Sequence, residues 1–250
     1  PYSRKEVAIM HIEMNILFTL GSLLGLLVGG GILKLVNHLA RGRIQFMYAI
    51  CGGILLGLLF FDILPSTWHL YDLRGVLLGI VVGYIIMLCI DLFLHKQNSE
   101  ISPLQALILL TVAIFFHNVI TGITFGITDM HQSASVFAAT LLHQVPEGMA
   151  IMTVLSIAKI PNTFFLLIIA LLSLSLGGSL FIGESVQVSS LKLQALSTGA
   201  AIGTLSFVIF HEIIGNTIKH FRKLHVWLLI SLGFVIIYVY QYSLSLFHGH

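Results

Sequence analysis

The sequence predicts an all-α protein that crosses a membrane eight times. Of its 250 residues, 57% are hydrophobic and only 9% are charged, and the mean hydropathy is +1.01. Soluble domains usually carry about 25% charged residues, so this composition favours a chain that lies largely in lipid. About 20 apolar residues span the hydrocarbon layer. Eight such segments can be drawn, in order: 9–36, 45–69, 75–95, 103–128, 134–158, 162–184, 194–218 and 225–247.

These segments use nearly the whole chain, which predicts one transmembrane domain over residues 1–250. Lys and Arg collect in cytoplasmic loops, and eight of the twelve lie in or next to the connections after spans one, three, five and seven. We therefore expect a multi-pass protein of the plasma membrane with both termini outside the cytoplasm. The net charge of +2 follows from this topology and gives no reason to expect nucleic-acid binding.

Glycines at four-residue spacing predict how the spans pack. They occur in span one (Gly21, Gly25, Gly29), span two (Gly53, Gly57), span three (Gly75, Gly79, Gly83) and span seven (Gly199, Gly203). Such rows let helix backbones approach closely in lipid. We expect a packing role for all of them.

Spans four and five carry nearly the same polar motif. It reads "HNVITG" at 117–122 and "HQVPEG" at 143–148, in each case His, a carboxamide, Val, and Gly five residues after the His. One short connection joins the two spans, so they run antiparallel and both motifs reach the same depth. We therefore expect His117, His143 and Glu147 to converge near the middle of the membrane.

The chemistry of these three side chains favours a metal ion. An ionisable residue at the centre of a membrane helix costs about 2.5–3.5 kcal/mol, so it faces a partner, water or a ligand. His143 and Glu147 are four residues apart and share one helix face. Imidazole and carboxylate groups bind divalent ions such as zinc. Pro146 lacks an N–H and predicts a distortion of the helix beside them. The alternative is an interhelical hydrogen-bond cluster without metal, which the duplicated motif makes less attractive.

The paired motifs resemble the signature of the ZIP (Zrt/Irt-like) family of divalent metal transporters. The similarity extends more weakly to "GGILLGLLFFDILP" in span two and "GAAIGTLSFVIFHEII" in span seven. The resemblance implies an inverted repeat of helices 1–3 and 6–8 around helices 4 and 5. It also implies a set of metal ligands: His117, Asn118, His143, Gln144 and Glu147.

The chain departs from the family pattern at carboxylates that bridge a second ion. Thr121 stands where the motif of span four usually has an acidic residue. "SLGG" at 175–178 aligns with a segment of span six that often carries another, and only His95 remains of a histidine-rich loop. These departures predict one metal ion per site.

Other polar residues of the spans are interpreted as an ion pathway. Asp62 would attract cations at the entrance, whereas Asp91, His211 and Glu212 would receive them toward the cytoplasmic exit. Residues near the membrane interface can also simply reach water. Thr121 could contact a metal-bound water or bond back to the carbonyl of His117.

We therefore predict a transporter, not an enzyme, whose substrate is Zn²⁺ or a similar divalent cation moving toward the cytoplasm. One alternative is an intramembrane zinc hydrolase in which the same ligands hold a metal-activated water. Against it, "HEIIG" at 211–215 stops short of H-E-x-x-H. Another alternative is a relative that binds metal without transporting it. The expected partners are the metal ion and the lipid bilayer, and the sequence leaves a homodimer open.

Overall fold

The computed structural model describes residues 4–39, 44–95, 103–128, 134–185, 190–220 and 223–248. Within these residues the chain forms eight long helices and no β-strand, which confirms the all-α prediction. They are α1 (Arg4–Leu39), α2 (residues 44–70: Ile44–Leu58, Leu59–Ile63 and Leu64–Leu70), α3 (Leu73–His95), α4 (Pro103–Thr128), α5 (Ala134–Ile157), α6 (Asn162–Ser185), α7 (residues 191–220: Leu191–Phe207, Val208–Ile214 and Gly215–His220) and α8 (Lys223–His248).

Among the described residues, seven of these helices are long and apolar enough to cross a membrane. The chain is thus a multi-pass membrane protein, as its composition predicts. Large apolar side chains cover the outer surface: Phe93 is 78% exposed and Leu224 is 70% exposed. Such a surface is suited to lipid contact. The remaining long helix, α5, carries the polar residues between His143 and Glu147 and contacts α1, α2 and α4.

Four helix pairs make the most extensive contacts: α1 with α5, α4 with α6, α3 with α7, and α2 with α8. Each pair is parallel, since successive glycines of one helix meet successive residues of its partner. Close backbone approach requires glycine, because a Cβ atom would overlap a carbonyl group of the partner helix: Gly29 faces Val145, Gly126 faces Leu180, Gly79 faces Leu196 and Gly53 faces Ile230. The glycine rows therefore serve helix packing, as predicted.

The pairing of helices repeats within the bundle. It stays the same when α1 is exchanged with α6, α2 with α7, α3 with α8, and α4 with α5. The α1–α5 pair then becomes the α6–α4 pair, and the α3–α7 pair becomes the α8–α2 pair. The contacts of α4 with α7 and of α2 with α5 also interchange. The two halves of the chain thus make equivalent contacts around α4 and α5.

Irregular helical geometry lies in α2 and α7. Residues Leu59–Ile63 and Val208–Ile214 are π-helical, and the N–H of Leu64 donates to the carbonyl of Leu59. The two segments contain related sequences, "FFDI" at 60–63 and "FHEI" at 210–213. The sequence instead predicts a distortion at Pro146, through which α5 continues as a helix. Because π-helical turns are frequent at functional sites, Asp62 and His211 occupy the segments of greatest interest.

Candidate metal centre

Two histidines and one glutamate from α4 and α5 meet inside the bundle. His117, His143 and Glu147 each offer one ligand atom, and these atoms lie within 4.8 Å of one another. His117 and Glu147 are buried, and His143 is half-buried. The two imidazole rings stack with their centroids 5.9 Å apart and an angle of 13° between their planes. The structure thus brings together the three residues that the sequence predicts to lie at the same depth in the membrane.

The glycine of each motif allows its helix to pack closely against a neighbouring helix. A Cβ atom at Gly122 would meet the Leu176 carbonyl of α6, and one at Gly148 would overlap the Leu26 carbonyl of α1. These contacts hold α4 against α6 and α5 against α1 at the level of the motifs. The two motif glycines thus have equivalent packing roles on the two central helices, which the sequence alone does not predict.

Several buried polar atoms of this centre lack hydrogen-bond partners among the described residues. They are Nδ1 of His117, Nε2 of His143 and both carboxylate oxygens of Glu147. Burying an ionised carboxylate without compensation costs several kcal/mol. A hydrogen-bond cluster without metal requires these atoms to bond to one another, which the described geometry does not show. The same donor set could hold a divalent cation. A tetrahedral zinc ion needs ligand atoms roughly 3.4 Å apart, compared with the separations of up to 4.8 Å found here.

The two carboxamides of the motifs form a hydrogen-bonded bridge. Gln144 donates through Nε2 to Oδ1 of Asn118 over 3.2 Å, and Asn118 donates through Nδ2 to the Leu172 carbonyl over 3.3 Å. Oε1 of Gln144 is buried without a partner among the described residues. Gln144 therefore has an oxygen to offer an ion, whereas one lone pair of the Asn118 oxygen is already used.

Asp62 of α2 reaches the centre from a third helix. Its Oδ2 lies 3.2 Å from Nδ1 of His143. The sequence predicts a place for Asp62 at the entrance of a pathway but not a contact with His143. No local signal in the sequence reveals this contact, because it depends on how α2 packs against α5.

A cavity of about 310 Å³ extends from the α2–α3 connection to the two histidines. Tyr71 lines it at the connection, and Asp62, His117 and His143 line it at the other end. Hydroxyl groups make up much of the remaining polar wall: Thr67, Thr121, Thr124, Thr140 and Thr198. Thr121 thus lies beside the centre, as predicted. Such a wall can bond to a cation's water molecules without holding the cation itself.

The other predicted pathway residues lie away from this cavity, on α3 and α7. Asp91 is buried, and its Oδ2 is 4.0 Å from Nδ1 of His211. The His211 ring stacks on Phe207 with the centroids 4.8 Å apart. Glu212 lies outside the residues whose side chains the structure describes. Asp91 and His211 are thus brought together, but apart from the centre on α4 and α5.

Comparison with known proteins assigns no function to the chain, so a function must be inferred from the geometry of the site. No protein-family model matches the chain, and no curated protein matches it.

Proposed function

We propose that this protein transports a divalent metal ion, Zn²⁺ or a similar cation, across the membrane through the centre on α4 and α5. One observation carries the proposal: the buried ligand groups of His117, His143 and Glu147 converge beside a cavity that reaches one side of the bundle. A site buried in protein and reached through a polar cavity is suited to binding an ion during transport.

The donor atoms favour a first-row transition metal over calcium or magnesium. Ca²⁺ and Mg²⁺ prefer shells made of oxygen atoms, whereas imidazole nitrogen suits zinc and its neighbours. Two imidazoles and one carboxylate would supply three ligands of a four-coordinate ion, with Oε1 of Gln144 as the fourth. In this arrangement Asn118 orients Gln144 through their hydrogen bond.

The helix contacts support a ZIP-like architecture with eight crossings. The exchange of α1–α3 with α6–α8 leaves the four main helix pairs unchanged, which an inverted repeat around α4 and α5 would produce. Helix α5 lies parallel to α1, with Leu141 and Val145 against Gly25 and Gly29. Because α1 is long and apolar enough to span the bilayer, its parallel partner would cross as well.

The cavity suggests the direction of entry. It begins at the α2–α3 connection, which the distribution of Lys and Arg assigns to the extracytoplasmic side. An ion would enter there, exchange water for the ligands of the centre, and leave toward the cytoplasm past Asp91 and His211. Alternating access requires the entrance to close before that exit opens.

Uptake of radioactive zinc by proteoliposomes tests the proposal. We expect His143→Ala and Glu147→Gln each to reduce uptake to the level of empty liposomes. Each should also weaken zinc binding by at least roughly 100-fold. Loss of a residue that only orients a ligand can already weaken metal binding by about 100-fold, and loss of the ligand itself should weaken it at least as much. His225→Ala and Glu13→Gln are matched controls at exposed positions, and both should transport normally.

Normal uptake by the Glu147→Gln variant would contradict the assigned site. Zinc binding by wild type without any uptake would point to a binding protein. Zinc-dependent cleavage of a membrane peptide would favour the hydrolase.

A further inference from the structure

We propose that Asp62 is a positioning residue for His143: its carboxylate holds the N–H at Nδ1, so that Nε2 presents its lone pair to the metal ion. This inference rests on the proposed metal site and adds a member that acts through one of its ligands. It also gives α2, which supplies none of the three converging ligand groups, a part in metal binding.

The hydrogen bond determines which ring nitrogen can bind metal. Oδ2 of Asp62 lies 3.2 Å from Nδ1 of His143. An ionised carboxylate only accepts hydrogen bonds, so the proton belongs on Nδ1. The remaining nitrogen, Nε2, is buried without a partner among the described residues. A histidine with its proton on Nδ1 binds a metal through Nε2.

This arrangement matches the way proteins usually hold a metal-binding histidine. Such a histidine almost always donates its other N–H to a carboxylate, a carbonyl or water, which sets the orientation and basicity of the ring. Asp62 meets this requirement from the π-helical segment Leu59–Ile63, on the face of α2 that lines the cavity. Its side chain is 35% exposed and that of His143 is 14% exposed, so the pair lies at the boundary between cavity and protein.

Asp62 could instead bind the ion directly, and a double-mutant cycle separates the two roles. A positioning residue acts only through His143, so its removal should cost nothing once His143 is absent. A direct ligand makes its own bond to the ion, so its removal should still weaken binding when His143 is absent, even though neighbouring ligands need not act additively.

The experiment measures zinc affinity by calorimetry on the purified full chain, with chelator competition for tight binding. The four proteins are wild type, Asp62→Ala, His143→Ala and the double variant. We expect Asp62→Ala to weaken binding by about 10- to 100-fold. The double variant should match His143→Ala within about threefold, because the effects of coupled residues do not add. Asp72→Asn, at an exposed carboxylate of the α2–α3 connection, should bind zinc normally.

Asp62→Asn tests the same idea with the shape of the side chain retained. Its carbonyl oxygen can still accept the N–H of His143, so affinity should stay within about threefold of wild type. The visible spectrum of bound Co²⁺ should also be unchanged, since the atoms that touch the metal are the same. This variant separates the positioning role from direct binding if Asp62→Ala does not fold.

Weakening of more than about threefold by Asp62→Ala in the His143→Ala background, or a changed Co²⁺ spectrum in Asp62→Asn, would overturn the positioning role. Unaltered zinc affinity in Asp62→Ala would also overturn it while leaving the proposed transport site intact. Failure of the wild type to bind zinc would instead remove the proposed function, and this inference with it.

Discussion

Thr121 shows how a single residue bears on the number of ions at the centre. It lies one helical turn from His117, on the cavity side of α4. Among the three converging side chains of the described residues, only Glu147 carries a carboxylate. The carboxylate of Asp62 lies against His143. With two neutral imidazoles and one carboxylate, a bound divalent ion keeps a local charge of about +1, which disfavours a second cation nearby.

Thr121→Glu should tighten zinc binding and slow zinc uptake. In an effective dielectric of about 20, one charge about 5 Å from the ion is worth a few kcal/mol before desolvation is subtracted, so we expect at least roughly tenfold tighter binding. Release should slow because a carrier must also let its ion go. Calorimetry gives affinity and stoichiometry, and proteoliposome uptake gives the rate.

Thr124→Glu is the matched control for this substitution. It adds the same charge to the cavity about one turn nearer the entrance, so its effect on affinity should be smaller. Two zinc ions bound between α4 and α5 in the wild type would refute the single-ion interpretation. So would a Thr121→Glu variant with unaltered affinity and rate.

Glycine contacts determine the positions of the helices that supply His117, His143 and Glu147. Helix α5 supplies His143 and Glu147, and its position depends on backbone contact with α1. A Cβ atom at Gly29 would overlap the carbonyl of Val145, which lies next to Pro146 and between His143 and Glu147 in the sequence. Backbone cannot rotate aside as a side chain can, so this contact sets the separation of the two helices.

Gly29→Ala should therefore destabilise the protein, by about 1–3 kcal/mol as for other overpacked cores. Gly31→Ala on the same helix is the control, because Gly31 is exposed and a Cβ there meets nothing within 4 Å. It should be neutral or stabilising by up to about 1 kcal/mol, since alanine favours helix. Thermal unfolding in detergent measures both. Equal changes in the two variants would show that the α1–α5 contact is not limiting.

At the scale of the whole molecule, the orientation of the helix bundle decides which side of the membrane the cavity faces. The cavity is lined at one end by the α2–α3 connection, whereas Asp91 and His211 form a separate pair on α3 and α7. Equivalent contacts in the two halves of the chain would let the bundle rearrange around α4 and α5. The orientation predicted from Lys and Arg makes the cavity the entrance.

Labelling with an impermeant thiol reagent in intact cells tests this orientation. Asp72→Cys, on the α2–α3 connection, should react from outside, whereas Lys159→Cys, between α5 and α6, should be protected. Both positions are exposed, so topology rather than burial decides the outcome. Replacing the exposed native Cys89 with alanine removes its signal, and Cys51 is buried. The reverse pattern would invert the bundle and exchange entrance and exit.

The helices were largely predictable because apolar length is a local property of the sequence. The segment predicted at 103–128 coincides with α4 (Pro103–Thr128), and the segment at 162–184 nearly matches α6 (Asn162–Ser185). At α1 the predicted span 9–36 is shorter than Arg4–Leu39, because a helix can continue beyond the hydrocarbon layer. The glycine rows likewise predicted close packing but not which helices would meet.

The sequence by itself determined that this is a helical membrane protein and that His117, His143 and Glu147 belong at one depth. Hydrophobic length, motif repetition and four-residue spacing suffice for those conclusions. Only the tertiary structure decided that Asp62 meets His143, that Gln144 bonds to Asn118, and that Asp91 meets His211. Each of these contacts joins side chains on different helices. Their distances depend on how far each helix rotates and shifts against its neighbour, and packing across the whole bundle sets that rotation.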